Sequence, residues 1–209
     1  MALTTYRIDR EGATRLLFLM HGWSAEQHHL AAYVPLVDPA GRFSAICPRG
    51  PMDLPEGDGA SWYDRDGMTP DPDHFRAAIA EIDALIDAEA SSAGVTTEQC
   101  VIGGFSQGGF LTLALAGRVG APRYAGVWAM CCGLHEVEGI DIDLTAGAGT
   151  PALIQYGEID EIIAPDVTRD VAKRLGDAGW IVTDGGYDMA HSQHIEMMID
   201  ARDWLSEIA

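Results

Sequence analysis

Ser106 lies in the run Gly104-Phe105-Ser106-Gln107-Gly108, which fits the pattern G-x-S-x-G. A serine hydroxyl attacks a carbonyl only when it is held clear of the backbone and given a base. A tight strand-to-helix turn meets the first need by pushing Oγ outward. Glycines two residues away on each side let strand and helix approach without a Cβ clash. The flanks suit that turn, since Cys100 to Phe105 reads as a buried strand and Gln107 to Arg118 is apolar nearly all round. The helix also directs its leading N–H groups and positive dipole end at the serine. The chemistry expected is acyl transfer through Ser106. With 24 glycines in the chain the motif alone is weak, and a glycine-rich turn without catalysis is the bland alternative; the strand and helix around it give it weight.

The hydroxyl needs a base, and the base needs an orienting carboxylate, in the chain order serine, acid, histidine. His191 and His194 are the histidines in the right region. His191 follows the strand-like Trp180 to Thr183 through the glycine-bearing stretch Asp184 to Ala190, at the carboxyl end of a strand, and is the expected base. His194 is expected inside the last helix. Asp160 stands in Tyr156-Gly157-Glu158-Ile159-Asp160, just past the strand Ala152 to Tyr156, and is the expected acid. Glu158 and Glu161 read as solvated charges.

Acyl transfer also needs donors for the oxyanion. The backbone N–H of Gln107 is one, directly after the nucleophile. Met20-His21-Gly22-Trp23-Ser24 ends an earlier strand, and the Trp23 N–H is the second candidate. His21 itself reads as a structural histidine bonded to backbone. Trp62, Tyr63 and Met68, together with Trp23, lie beside these loops in sequence and are expected to line an acyl pocket, against the plain reading of ordinary packing.

The elements that must position these groups alternate along the chain. Short apolar runs at Leu16 to Met20, Ala45 to Cys47, Cys100 to Phe105, Ala125 to Cys132, Ala152 to Tyr156 and Trp180 to Thr183 read as strands, with Thr4 to Ile8 a weaker edge candidate. Most are continuously apolar, as strands buried on both faces of a parallel sheet are. Between them lie helices. Asp71-Pro72 opens one and Gly94 closes it, with Phe75, Ile79, Ile82 and Ile86 at helical spacing. After Pro165 a stripe of Val167, Val171 and Leu175 marks another, and Ile195, Met198, Ile199, Leu205 and Ile208 mark the last. Pro48 to Pro70 is the longest loop-like stretch. One α/β domain over residues 1–209 is expected, a mostly parallel central sheet with helices on both faces.

Composition narrows the partners. The 32 acidic residues against 13 basic give a formal charge of −19, which repels nucleic acid and anionic membrane. The first fifteen residues carry Arg7, Asp9, Arg10, Glu11 and Arg15, unlike a secretory signal. No apolar run is long enough to span a bilayer, so a cytoplasmic protein without membrane insertion is expected. Oligomeric state is left open. Cys47, Cys100, Cys131 and Cys132 all lie in apolar runs and read as reduced core residues.

Taken together these segments resemble the phospholipase/carboxylesterase group of α/β-hydrolases, which includes acyl-protein thioesterases and small bacterial carboxylesterases. The resemblance covers nearly the whole chain. It rests on His21-Gly22, Pro48 with Ser61-Trp62-Tyr63-Asp64, Gly104 to Gly109, Gly157-x-x-Asp160, and Met189-Ala190-His191-Ser192. It implies an α/β-hydrolase fold with a minimal lid, catalytic Ser106, Asp160 and His191, and an oxyanion hole from Trp23 and Gln107. No cofactor or metal is expected. The implied substrate is a small-molecule carboxylic ester or thioester.

The chain departs from the family at Ser24, where His-Gly-x-Gly is common, and at Ala164-Pro165, where the proline usually comes one residue sooner. The stretch after Asp64 is short beside the thioesterases, which points to small or medium acyl groups over the long chains of acyl-protein thioesterase or lysophospholipase activity. Two other classes compete. A metallohydrolase could draw on His28-His29, His191-x-x-His194 or Cys131-Cys132-x-x-His135, but no H-E-x-x-H signature is present. A non-catalytic binding module would have no need of all three triad residue types.

Overall fold

The computed structural model describes residues 3–57 and 59–208. The apolar runs form a seven-stranded sheet: β1 (Thr5–Ile8), β2 (Arg15–Met20), β3 (Phe43–Pro48), β8 (Cys100–Phe105), β9 (Gly126–Met130), β10 (Pro151–Gly157) and β11 (Ile181–Tyr187). The strand order is β1-β3-β2-β8-β9-β10-β11. β1 pairs antiparallel with β3, and every other pairing in the sheet is parallel. Alternation within a strand divides the core. Leu16, Phe18 and Met20 of β2 join one buried cluster, whereas Leu17 and Leu19 join the other.

Helices cover both faces. α3 (Pro72–Ala93), α4 (Gln107–Gly117) and α5 (Pro165–Asp177) supply the first cluster; α1 (His28–Ala31), α2 (Val34–Val37) and α6 (Ile195–Ile208) supply the second. The Asp71 side chain accepts the His74 N–H at 2.9 Å to start α3, and Gly94 ends it at φ 69°. α4 is buried along its whole length, lying on β8 and β9 beneath α3. All four cysteines are free and buried.

The stretch from Pro48 to Pro70 is more ordered than its composition suggests. β4 (Met52–Asp53) pairs with β5 (Ala60–Ser61), and β6 (Arg65–Asp66) pairs with β7 (Thr69–Pro70). β11 runs on through Asp184, Gly185 and Gly186 to Tyr187, where the sequence suggested a loop. Backbone pairing with β10, from Pro151↔Ile181 to Gly157↔Tyr187, holds it despite two glycines. Val167 and Ile195 are exposed, so the buried stripe of α5 is Thr168, Val171, Ala172 and Leu175, and Met197 joins Met198 beneath α6.

Beneath the site, a buried polar chain crosses four elements. Trp128 Nε1–H donates to Gln155 Oε1 at 2.7 Å, and Gln155 Nε2 donates to Tyr187 Oη at 2.7 Å and to the Met197 carbonyl at 2.9 Å. Tyr187 Oη–H passes the chain on to Asp200 at 2.7 Å. The sheet also reverses direction at one point: the chain steps from β2 to β3 on one side, and from β8 to β9 on the other. Such a switch point opens a crevice at the carboxyl ends of the two central strands. The segments after β2 and β8 are those of Trp23 and Ser106.

Candidate active site

Ser106 occupies the turn between β8 and α4 at φ 52°, ψ −117°, a backbone region that a residue with a Cβ visits only under constraint. Its N–H donates to the Met130 carbonyl at 2.9 Å, which ties the turn to β9. A Cβ on Gly104 would come within 2.4 Å of the Gly108 backbone, and one on Gly108 within 2.2 Å of the Met20 carbonyl. Both glycines are therefore demanded by close backbone approach, which is the reason the spacing suggested.

His191 Nε2 lies 2.8 Å from Ser106 Oγ, and its Nδ1 lies 2.7 Å from Asp160 Oδ2. A carboxylate only accepts, so Nδ1 carries the proton and Nε2 is left to accept from the serine hydroxyl. Asp160 is buried, and its Oδ1 accepts the N–H groups of Ile162 and Ile163 at 2.9 Å each. Three donors thus fix the carboxylate. Ser106 and His191 are half-buried, so a substrate can reach them. Gly157 lets the histidine loop cross, for a Cβ there would meet the Met189 carbonyl at 2.3 Å.

The rival groups lie elsewhere. Glu158 is paired with Arg169, which also meets Asp166 and Tyr156 Oη, and Glu161 is exposed. His194 stands just before α6, not within it, its carbonyl accepting the Met198 N–H at 3.2 Å and its ring exposed. His21 is buried, with Nδ1–H on the Gly22 carbonyl at 2.7 Å and Nε2 accepting the Gly50 N–H at 2.9 Å. Burial lowers its pKa to about 4, which keeps the ring neutral.

On the oxyanion side, Gln107 is the first residue of α4, and its N–H is among the leading donors that no helical carbonyl can take. Ser24 N–H donates to Ala60 and Ala25 N–H to Gly22, while the Trp23 N–H has no acceptor among the described residues. Met20 and Gly104 are register partners, so the two segments leave the sheet side by side.

The expected acyl pocket is placed differently. Trp62 is 0% exposed and Tyr63 2%, so neither offers surface to a substrate. Trp62 Nε1–H donates to the His21 carbonyl at 2.8 Å, and Tyr63 packs edge-on against Phe75 at 4.9 Å. Both are core residues that brace the loop, the Trp62 indole and the Tyr63 carbonyl finding partners inward. Met68 is exposed between β6 and β7, and the Trp23 ring is exposed beneath the Arg65 guanidinium, 5.5 Å away.

Two features escaped sequence reasoning. The Gln107 side chain, read only for its backbone, accepts the Trp62 N–H at 2.9 Å and donates to the Tyr63 carbonyl at 2.8 Å. It welds the serine turn to the segment from Ser61 to Tyr63. Cys131, at the end of β9 with φ 49°, brings its sulfur within 4.8 Å of a carboxylate oxygen of Asp160 and a ring nitrogen of His191. The signal available was its position: like Ser106, Asp160 and His191, it follows the carboxyl end of a central strand.

Comparison with known proteins places this arrangement. The sequence family described as Phospholipase/Carboxylesterase matches residues 7–209. Acyl-protein thioesterase 1 of Kluyveromyces lactis is 27% identical over 203 residues, spanning 89% of this chain and 85% of that protein. The crystal structure of esterase PE8 superposes over 100% of both chains with a TM-score of 0.85 at 18% identity. The Bacillus cereus carboxylesterase covers 99% of this chain and 95% of its own with a TM-score of 0.84 at 16% identity. At those identities the structural likeness speaks for the fold.

Proposed function

Because the chain belongs to the phospholipase/carboxylesterase family, we propose that it hydrolyses carboxylic esters and thioesters of small to medium acyl groups through an acyl-enzyme on Ser106. The carrying observation is the unbroken line from Ser106 Oγ through both ring nitrogens of His191 to Asp160. Ser106 Oγ attacks the substrate carbonyl as Nε2 takes its proton. Asp160 holds the tautomer and stabilises the imidazolium. The Trp23 and Gln107 N–H groups receive the oxyanion, each contributing about 3–4 kcal/mol to the transition state. Collapse expels the alcohol or thiol with the proton from Nε2. Water, activated by the same nitrogen, then releases the acid.

The reading takes residues 1–209 as one catalytic domain, acting in the cytoplasm on small-molecule esters. The net charge of −19 supports its independence of nucleic acid, and among the described residues no helix is long and apolar enough to cross a membrane. With Trp62 and Tyr63 committed to the core, the acyl group is left to the exposed Trp23 side of the crevice. A second reading, cleavage of long-chain acyl thioesters, draws on the Kluyveromyces lactis relative.

Chromogenic acetate, butyrate, octanoate and palmitate esters with matched thioesters separate the two. Turnover peaking at acetate or butyrate is expected, whereas a peak at palmitate favours the second reading. Ser106→Ala is expected to lower kcat by about 10⁴-fold or more. Near-parental turnover in that variant refutes both.

A further inference from the structure

The sulfur of Cys131, a carboxylate oxygen of Asp160 and a ring nitrogen of His191 lie within 4.8 Å of one another. Each follows a different strand, β9, β10 and β11 in turn. A left-handed φ of 49° is unfavourable at a residue with a Cβ, and here it turns the thiol toward the His–Asp pair. The turn is fixed on both sides: Cys131 N–H donates to the Gln155 carbonyl at 2.8 Å, and the Met130 carbonyl before it accepts from Ser106. The thiol is buried and lies 3.9 Å from the Ser192 carbonyl.

Thiolate, imidazole and carboxylate are the three donor types of tetrahedral zinc sites, and a set containing sulfur and nitrogen discriminates against magnesium and calcium. We propose that Cys131, Asp160 and His191 form an inhibitory site for a thiophilic divalent cation of the zinc type, whose occupancy shuts off catalysis. The inhibitory consequence rests on His191 being the base; the binding itself does not.

The chemistry balances. One dication enters and one proton leaves to solvent, from Cys131 Sγ, while the His191 proton moves from Nδ1 to Nε2. Bonds form to Sγ, to Nδ1 and to an Asp160 oxygen, and water or the Ser192 carbonyl completes the shell. Thiolate and carboxylate together neutralise the dication, so a buried carboxylate exchanges its lone negative charge for a neutral complex. Metal–ligand bonds of about 2.0–2.3 Å require the sulfur to draw in and the 2.7 Å contact between Nδ1 and Oδ2 to widen. Opposing this, burial first and the Asp160 charge second push the Cys131 thiol up to about 12, so the cation competes with a tightly held proton. With metal on Nδ1 the imidazole carries its proton on Nε2 instead. The atom that must accept from Ser106 becomes a donor, and general-base catalysis stops.

Zinc chloride added to chelator-treated protein in a butyrate ester assay is the first probe, with each variant scaled to its own metal-free rate. A loss of at least about tenfold is expected, reversed by chelator, with magnesium and calcium without effect. Cys131→Ser should require at least about tenfold more zinc for the same loss, since a hydroxyl is a poor zinc donor. Should that variant unfold, Cys131→Gly, suited to the left-handed backbone, replaces it.

Cobalt(II) gives a readout free of turnover. A thiolate charge-transfer band is expected in the parent, in Ser106→Ala and in Cys132→Ser, and not in the Cys131 variants. A band without ester turnover would sink the esterase reading and leave the site standing. Turnover without a band, or equal zinc sensitivity in parent and Cys131 variants, would overturn the site.

Discussion

The two flanks of Ser106 are held by different means. On the side of β2 and β3 the contacts are neutral and close to the backbone: His21 on Gly22 and Gly50, Trp62 on the His21 carbonyl, and Gln107 on both Trp62 and Tyr63. On the side of β9, β10 and β11 the contacts involve a carboxylate, an imidazole and a thiol. The first flank keeps its shape because His21, the Trp62 indole and the Gln107 side chain are satisfied within the protein, leaving the Trp23 N–H without an acceptor among the described residues. The second, on the proposed mechanism, performs proton transfer, its histidine presenting one nitrogen to the serine. A scaffold for an oxyanion must not move, whereas a base must exchange its proton, and the two demands fall on opposite sides of one turn.

Removing charge from the second flank is the strongest way to test that division. Asp160→Asn exchanges an acceptor for a side chain able to donate to Nδ1, which favours the wrong tautomer. Turnover is expected to fall by about 10⁴-fold with little change in folding. A fall below about tenfold would mean that the carboxylate orients nothing.

The first flank should answer in stability. Gln107→Ala leaves the buried Trp62 N–H without a partner, at about 1–3 kcal/mol, while the Tyr63 carbonyl keeps the Ser61 hydroxyl as donor at 2.8 Å. A denaturant midpoint lowered by the equivalent of about 1–3 kcal/mol is expected. If the midpoint held while turnover collapsed, Gln107 would belong with the chemistry instead.

The last expected effect concerns acid. The folded-state pKa of His21 is about 4 against an ordinary value of 6.5, because burial disfavours its charge. Below pH 6.5 the unfolded chain binds a proton that the folded one refuses. Stability therefore falls by about 1.4 kcal/mol per pH unit from pH 6.5 to about pH 4, and this contribution levels off below. His135, whose pKa burial also lowers to about 4, adds a similar slope. Denaturant midpoints between pH 7 and pH 4.5 should show His21→Gln with the shallower slope; identical slopes would remove His21 from the explanation.

Much of this was legible in the residues. Central strands buried on both faces announce themselves as apolar runs, and the seven strands of the main sheet, its exposed edges β1 and β11 included, stand where strands were read, within a few residues at their ends. Asp71-Pro72 and Gly94 marked α3 because capping is local chemistry. The segments of Ser106, Asp160 and His191 were identifiable because each follows a strand. What escaped depends on direction or on pairing. Trp62 and Tyr63 lie beside the site in sequence, but whether an aromatic ring turns inward is decided by partners that are distant in the chain. The Gln107 side chain is hidden for the same reason. Gly185 and Gly186 weaken any propensity for a strand, and only register with β10 keeps β11 extended. The angle of Cys131 has no signature in its neighbours.

The polar chain from Trp128 through Gln155 and Tyr187 to Asp200 has a mechanical consequence. It bolts together the three strands whose upper ends bear the thiol, the acid and the base, together with the helix behind them. The spacing of those groups is thus set from below the crevice, and the loops above can change length or sequence without detuning it. Loosening the bolt at Gln155 would let the strands shift against one another, and acid and base would fall out of step while every residue that touches substrate stayed unaltered.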